Sequence, residues 1–262
     1  MTGVGPVYVY DGSFAGWLTV VFEAYRRREP PGQIVTEAPE VQGALFSEAL
    51  PVATDAEAAE RVRRGLERRV RPGGVERVYH AFLSEAPGIE RDLYRLAARV
   101  FTRDGSALDD LRFPPALLTE RMAARVRHEV HRMHAFVRFE RRAGERYVAV
   151  ARPEHNVLPL LHPHFGARYP AMRWAIVDDR RGYALLHTPA ADRAEGEAAA
   201  AFVPAAAVAF DRAEDEAAFQ GLWQAYYRAV TIEERRNPKL HLRHVPRRYW
   251  PYLTEKRTAA VS

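Results

Sequence analysis

Cysteine is absent from the 262 residues, which excludes disulfides, thiolate zinc sites and cysteine-held iron–sulfur clusters. Lysine is nearly absent as well: of 39 basic residues only Lys239 and Lys256 are not arginine. No apolar run approaches the roughly 20 residues a membrane span requires. The N-terminus lacks a basic start followed by an apolar stretch, so a signal peptide is not expected and the expected location is cytoplasmic. There is no Gly-x-Gly-x-x-Gly and no Walker loop, so no nucleotide cofactor is expected. No internal repeat is evident.

What the chain has is arginine, unevenly spread. The net charge is +5 with 47% hydrophobic and 28% charged residues, an ordinary globular composition. Residues 226–250 hold six Arg and one Lys against two Glu. Residues 121–146 hold eight Arg against three Glu, whereas 189–220 hold seven acids against two Arg. Two basic regions separated by an acidic one suggest a polarised surface of the kind a polyanion recognises. The plain alternative for each is a solvated helix face.

The N-terminus reads as strand, tight turn and helix: Val7 to Tyr10, then Asp11-Gly-Ser13 with Ser13 as N-cap, then an apolar stripe of Phe14, Trp17, Leu18, Val21, Phe22 and Tyr25. Ser13 lacks the Gly-x-Ser-x-Gly spacing of a hydrolase nucleophile. Residues 29–53 read as a connection with a short strand near Gln33–Val35. Thr54-Asp-Ala-Glu57 reads as a capping box opening a mainly helical part, residues 54–135, in which two further helices follow the stop at Pro72-Gly-Gly74. A long helix runs from Pro114-Pro115 to about residue 135. Over 136–187 two predicted hairpins flank an apolar segment, His155 to Phe165, kinked by two prolines. The expected fold is α+β: an N-terminal βα element, a helical subdomain, an antiparallel ββαββ core and, over 211–255, a C-terminal helix with a basic tail, forming one domain across 1–262.

Glu129 falls on the apolar side of the long helix at 100° per residue. It reads either as a buried ion pair, with Arg138 or an arginine of the C-terminal block, or as a general base. His128, His131 and His134 fan around the same helix, too widely for one ion to take all three, and no metal is expected. His131 remains a candidate proton carrier. Asp178 and Asp179 read as turn residues, and His155, His162 and His164 as helix-end residues. In the C-terminal block Arg235, Arg236, Asn237, Lys239, Arg243, Arg247 and Arg248 are candidate phosphate contacts. Tyr249 is a candidate stacking residue, and Trp250 reads as an anchor for a docking tail. Lys239 carries a further option: an amine crowded by arginines can lose its proton and attack an aldehyde, which arginine cannot do.

In order along the chain stand Tyr10-Asp-Gly-Ser-Phe14, Glu129-Val-His-Arg-Met133 running into Phe136-Val-Arg-Phe139, His155-Asn-Val-Leu-Pro-Leu160, His164-Phe165, Ile176-Val-Asp-Asp-Arg180, Glu234-Arg-Arg-Asn-Pro-Lys-Leu240 and Pro246-Arg-Arg-Tyr-Trp250. On these pieces the chain resembles a family of DNA-metabolism proteins of unknown activity. Their genes neighbour an uncharacterised radical-SAM protein, and many members are fused to a uracil-DNA-glycosylase-like domain. The resemblance implies DNA repair or modification, with DNA, a radical-SAM protein and a uracil-DNA-glycosylase-like protein as expected partners. It implies no catalytic residues. Three functions stay open: a DNA-binding factor, a DNA-processing enzyme (abasic-site lyase, glycosylase or nuclease) with Lys239, Glu129 and His131 as its candidate residues, and a non-catalytic adaptor.

Overall fold

The computed structural model describes residues 5–36, 49–103, 105–193, 198–208, 242, 244–254 and 256. It divides the chain into two compact units, residues 1–127 and 128–262. The α+β class is borne out.

The first unit is built on three short parallel strands in the order β2-β1-β3: β1 Val7–Val9, β2 Gln33–Val35 and β3 Ala49–Pro51. β3 lies in the stretch read from sequence as connection. Four helices follow the strands or connect them: α1 Phe14–Arg27, α2 Ala56–Glu67, α3 Gly74–Phe82 and α4 Ile89–Thr102. Ser13 caps α1, its Oγ accepting from the Gly16 N–H. α1 buries more than the predicted stripe. Thr19, Val20 and Ala24 are covered beside Trp17, Leu18 and Val21, while Tyr25 is exposed. A crossover helix that closes two parallel strands and also packs on α2 has little free face left. The capping box shifts by one residue: Asp55 caps α2 through the N–H groups of Glu57 and Ala58, and Thr54 bonds elsewhere. Phe14, Trp17, Tyr79 and Phe82 form an aromatic cluster that fixes α1 on α3.

α5, Pro114–Phe136, has the predicted length. It runs through Phe136, so the expected strand at 136–139 is instead helix end and loop, with the Arg138 guanidinium donating to the Ala135 and Val137 carbonyls. The second unit holds a five-stranded sheet in sequential order: β4 Glu140–Arg142, β5 Arg146–Ala151, β6 Arg173–Asp178, β7 Tyr183–Thr188 and β8 Ala199–Pro204. One expectation is corrected here. β5 and β6 pair in parallel, joined by a 3-10 turn at Leu158–Leu160 and the short helix α6 His162–Arg168, and the other pairs are antiparallel. Parallel neighbours need a crossover connection, which this turn and helix supply. One sheet face packs Val148, Ala175, Val177, Ala184 and Val208. The other carries Trp174 with Phe139 and Phe165. The predicted helix at 219–230 lies outside the described residues.

Candidate nucleic-acid interface

Parallel strands gather ligand-facing loops at their carboxyl ends. In the second unit these ends are Ala151 of β5 and Asp178 of β6. Asp178 is fully buried and performs the turn duty read from its sequence. Its Oδ1 accepts from the Arg180 and Arg181 N–H groups at 2.9 and 3.1 Å, and its Oδ2 from Arg181 Nη1 at 2.8 Å. Gly182 closes the turn at φ 71°, where a side chain would strain the backbone.

This turn grips the loop that follows β5. Arg180 Nη1 donates to the Glu154 carbonyl at 2.7 Å, and Arg181 donates to the same oxygen and to that of Pro153. From the other side the Glu154 N–H donates to Glu129 Oε1 at 2.8 Å. Glu129 is 2% exposed, on the inward side of α5 as its helical position predicts. Its partner is an arginine of the C-terminal block, one of the two pairings open in the sequence: Arg248 Nη2 stands 3.2 Å from Oε2. The Tyr249 hydroxyl donates across both oxygens at 2.6 and 2.7 Å, and Arg132 Nη1 is 3.7 Å away. Arg248 also reaches the Glu154 carboxylate at 3.0 Å.

This geometry decides what Glu129 and Tyr249 do. The Tyr249 ring is 2% exposed and packs against Phe136. Burial first, then Glu129, raises the pKa of its phenol well above the ordinary value. In this arrangement the ring is an interior anchor, and stacking on a base would require the segment Arg247–Tyr252 to undock. Glu129 accepts from a backbone N–H, a phenol and a guanidinium, a set that occupies the acceptor positions of a buried carboxylate. Trp250 also anchors: its Nε1 donates to the Val245 carbonyl at 3.0 Å, and Arg247 and Lys256 lie against its ring.

Around this buried centre the arginines face outward. Arg152, Arg180, Arg247 and Arg248 are exposed on the two strand-end loops and the C-terminal segment. The Tyr252 hydroxyl donates to Asp179 Oδ2 at 3.1 Å, so that acid is engaged within the same surface. Sequence reading had missed Arg152 and Arg180, because single arginines in turns give no pattern. His131 is exposed, two residues along α5 from buried Glu129, so the two side chains leave the helix on opposite sides. Arg235, Arg236, Asn237, Lys239 and Arg243 lie outside the described residues.

The histidines form a separate cluster. His187 Nε2 faces the Pro170 carbonyl at 3.2 Å, an acceptor, and its Nδ1 lies 3.1 Å from His162 Nε2. Trp174 stacks on His187, and His134 stacks on His164 with ring centroids 3.9 Å apart. Burial and the neighbouring His187 depress the pKa of His162. His187 is buried and His134, His162 and His164 are half-buried, so these rings serve packing, a role for which the sequence offers no signal distinct from a site.

No helix among the described residues is long and apolar enough to cross a membrane. No curated protein matches this chain, and no solved structure does. One family model matches residues 87–255, more than half of the chain and including every side chain of the arginine-faced surface. The chain belongs to the family described as a domain of unknown function, DUF4130.

Proposed function

We propose that the protein is a DNA-binding factor of repair or modification that grips the phosphate backbone with the strand-end arginines of its second unit. One observation carries this reading: Arg152, Arg180, Arg247 and Arg248 are exposed on loops that a buried hydrogen-bond network holds in place. Guanidinium forks on a fixed frame suit phosphate and carry no base readout, so the binding has little sequence preference. The radical-SAM partner, and a link to a uracil-DNA-glycosylase-like protein, belong to the same proposal. They are supported by the family resemblance of the motifs.

Fluorescence anisotropy with labelled single-stranded and duplex oligonucleotides tests it. Affinity falls linearly on a log–log plot against salt, with a slope of about −0.9 per phosphate neutralised on duplex DNA. Arg152→Ala, Arg180→Ala and Arg247→Ala each reduce that slope by about one. Absence of binding at low salt, or a slope unchanged in the triple variant, overturns the reading. Co-purification with the radical-SAM protein tests the partner separately.

A further inference from the structure

Arg248 is held on one side and offered on the other. Its Nη2 donates to Glu129 Oε2 at 3.2 Å and to the Tyr249 hydroxyl at 2.8 Å, both on buried residues. These bonds fix the guanidinium before any ligand arrives. Its Nη1 meets the Glu154 carboxylate at 3.0 Å. The side chains of that second pair are 40% and 51% exposed, against 2% for Glu129. One arginine thus makes a structural ion pair inward and an open one outward.

The Glu154 carboxylate is carried there by a pinned backbone. The Glu154 N–H donates to Glu129 Oε1 at 2.8 Å, and its carbonyl accepts from Arg180 Nη1 at 2.7 Å and from Arg181 Nη2 at 3.2 Å. Pro153 before it is buried, with φ fixed by its ring and its carbonyl accepting from Arg181 Nη1. None of these bonds uses the Glu154 side chain, so they hold the loop whatever side chain stands at this position. Three guanidiniums, of Arg180, Arg181 and Arg248, converge on this one residue.

A carboxylate and a phosphodiester offer a guanidinium the same thing, one negative charge shared over two oxygens. An ion pair as exposed as Arg248–Glu154 is weak and screened by salt, so a phosphate can exchange for it. The inward pair cannot exchange in the same way, because opening it leaves a buried carboxylate uncompensated.

Resting on the DNA-binding reading of this face, we propose that Arg248 Nη1 is the seat of one backbone phosphate and that the Glu154 carboxylate is its resident occupant, which DNA must displace. Arg152, Arg180 and Arg247 meet the strand directly, whereas binding at Arg248 is an exchange of anions. Exchange lowers affinity and flattens its salt dependence, since the seated phosphate releases a counterion while the freed carboxylate takes one up.

Glu154→Gln in the full chain tests this. The substitution keeps the side-chain size and the backbone bonds, so the melting temperature changes little. Anisotropy with a labelled duplex oligonucleotide shows affinity raised by about threefold or more at low salt, the scale of one exposed ion pair. The log–log salt slope steepens by up to about 0.9, the share of one more phosphate. Glu145→Gln is the control: it removes the same charge from the β4–β5 turn, where Glu145 is 86% exposed, and leaves both quantities nearly unchanged. Where wild type binds DNA, no gain in Glu154→Gln, or an equal gain in Glu145→Gln, overturns the seat and leaves the DNA-binding reading standing. Inorganic phosphate separates the opposite failure. Titrated into both proteins, it shifts the Arg248 Nε–H nuclear magnetic resonance at lower concentration in Glu154→Gln than in wild type. If that holds while neither protein binds DNA, the seat stands and the DNA reading falls. No shift in the variant, or the same titration in both proteins, overturns the seat whatever DNA does.

Discussion

In the first unit β1 and β3 run parallel and end beside Asp11. In the second β5 and β6 run parallel and end at Ala151 and Asp178. Both edges use an aspartate to shape the turn after a strand, accepting local backbone N–H groups. They differ in what answers the charge. Asp178 and Glu129 are matched by Arg181 and Arg248, whereas among the described residues Asp11 is matched by hydroxyls and a backbone N–H, and Glu90 has no ion pair. The turn chemistry needs an acceptor oxygen, not a neutral edge. The second unit neutralises its buried acids and still exposes arginines at this edge; at the first unit's edge Asp11 is answered by hydroxyls and a backbone N–H.

The largest test of this contrast removes one acid from each edge. Glu129→Ala strips a buried network of its central carboxylate and leaves the Tyr249 hydroxyl and the Glu154 N–H without their acceptor, so a loss of about 3–5 kcal/mol is expected. Glu90→Gln removes an uncompensated charge and is expected to change stability by less than about 0.5 kcal/mol, or to increase it. Urea denaturation of both variants measures this. Similar losses in the two would show that the acids share one structural duty and would erase the distinction.

A second test acts on the arginine face alone. Combining Arg152→Ala, Arg180→Ala and Arg247→Ala is expected to cut DNA affinity by about 10²-fold or more at low salt, with little change in melting temperature. The enzymatic alternative is separable. Borohydride with abasic DNA traps an adduct if Lys239 acts as a nucleophile, and Lys239→Arg abolishes it while preserving affinity.

A third, smaller effect concerns the anchor. Tyr249→Phe keeps the buried ring and removes the hydroxyl from Glu129, for an expected cost of about 1–3 kcal/mol. DNA affinity is expected to stay unchanged in conditions where the variant is folded. A selective loss of affinity with unchanged stability would instead assign Tyr249 to base stacking.

Much of this was legible in local pattern. Helical periodicity places Glu129 inward, whereas pairing it with His131 as a second candidate fails because the two leave α5 on opposite sides. What local pattern hides is partnership. The parallel pairing of β5 and β6 depends on the helix that joins the two hairpins, so adjacent strands read one at a time suggest only antiparallel pairs. β8 is half alanine, which carries little strand propensity, and forms because β7 offers it a partner. The motif Pro246-Arg-Arg-Tyr-Trp250 suits a nucleic-acid surface and a docking tail equally well; only the position of Glu129 shows that Tyr249 turns inward and Arg247 outward.

The smallest expected effect is one of pH, and it belongs to the second unit. His134 is stacked on His164, its Nε2 is buried without a hydrogen-bond partner, and burial, His164 and His131 all lower its pKa below the ordinary imidazole value of 6.5. His162 is lowered in the same sense by burial and His187. A base whose folded pKa is depressed binds fewer protons folded than unfolded between the two values. Its contribution to stability is therefore present above pH 6.5 and is lost as the pH falls through the folded pKa. Melting temperatures should fall between pH of about 7.5 and about 5.5, the range in which imidazoles change charge. His134→Phe keeps a ring against His164, cannot be protonated, and should flatten part of that fall. The acids of the second unit's edge, Glu129 and Asp178, are shared by both proteins and cancel in the comparison. An identical pH profile in wild type and variant would show that the stacked pair titrates as it does in the unfolded chain, and that the packing around His134 leaves it open to water.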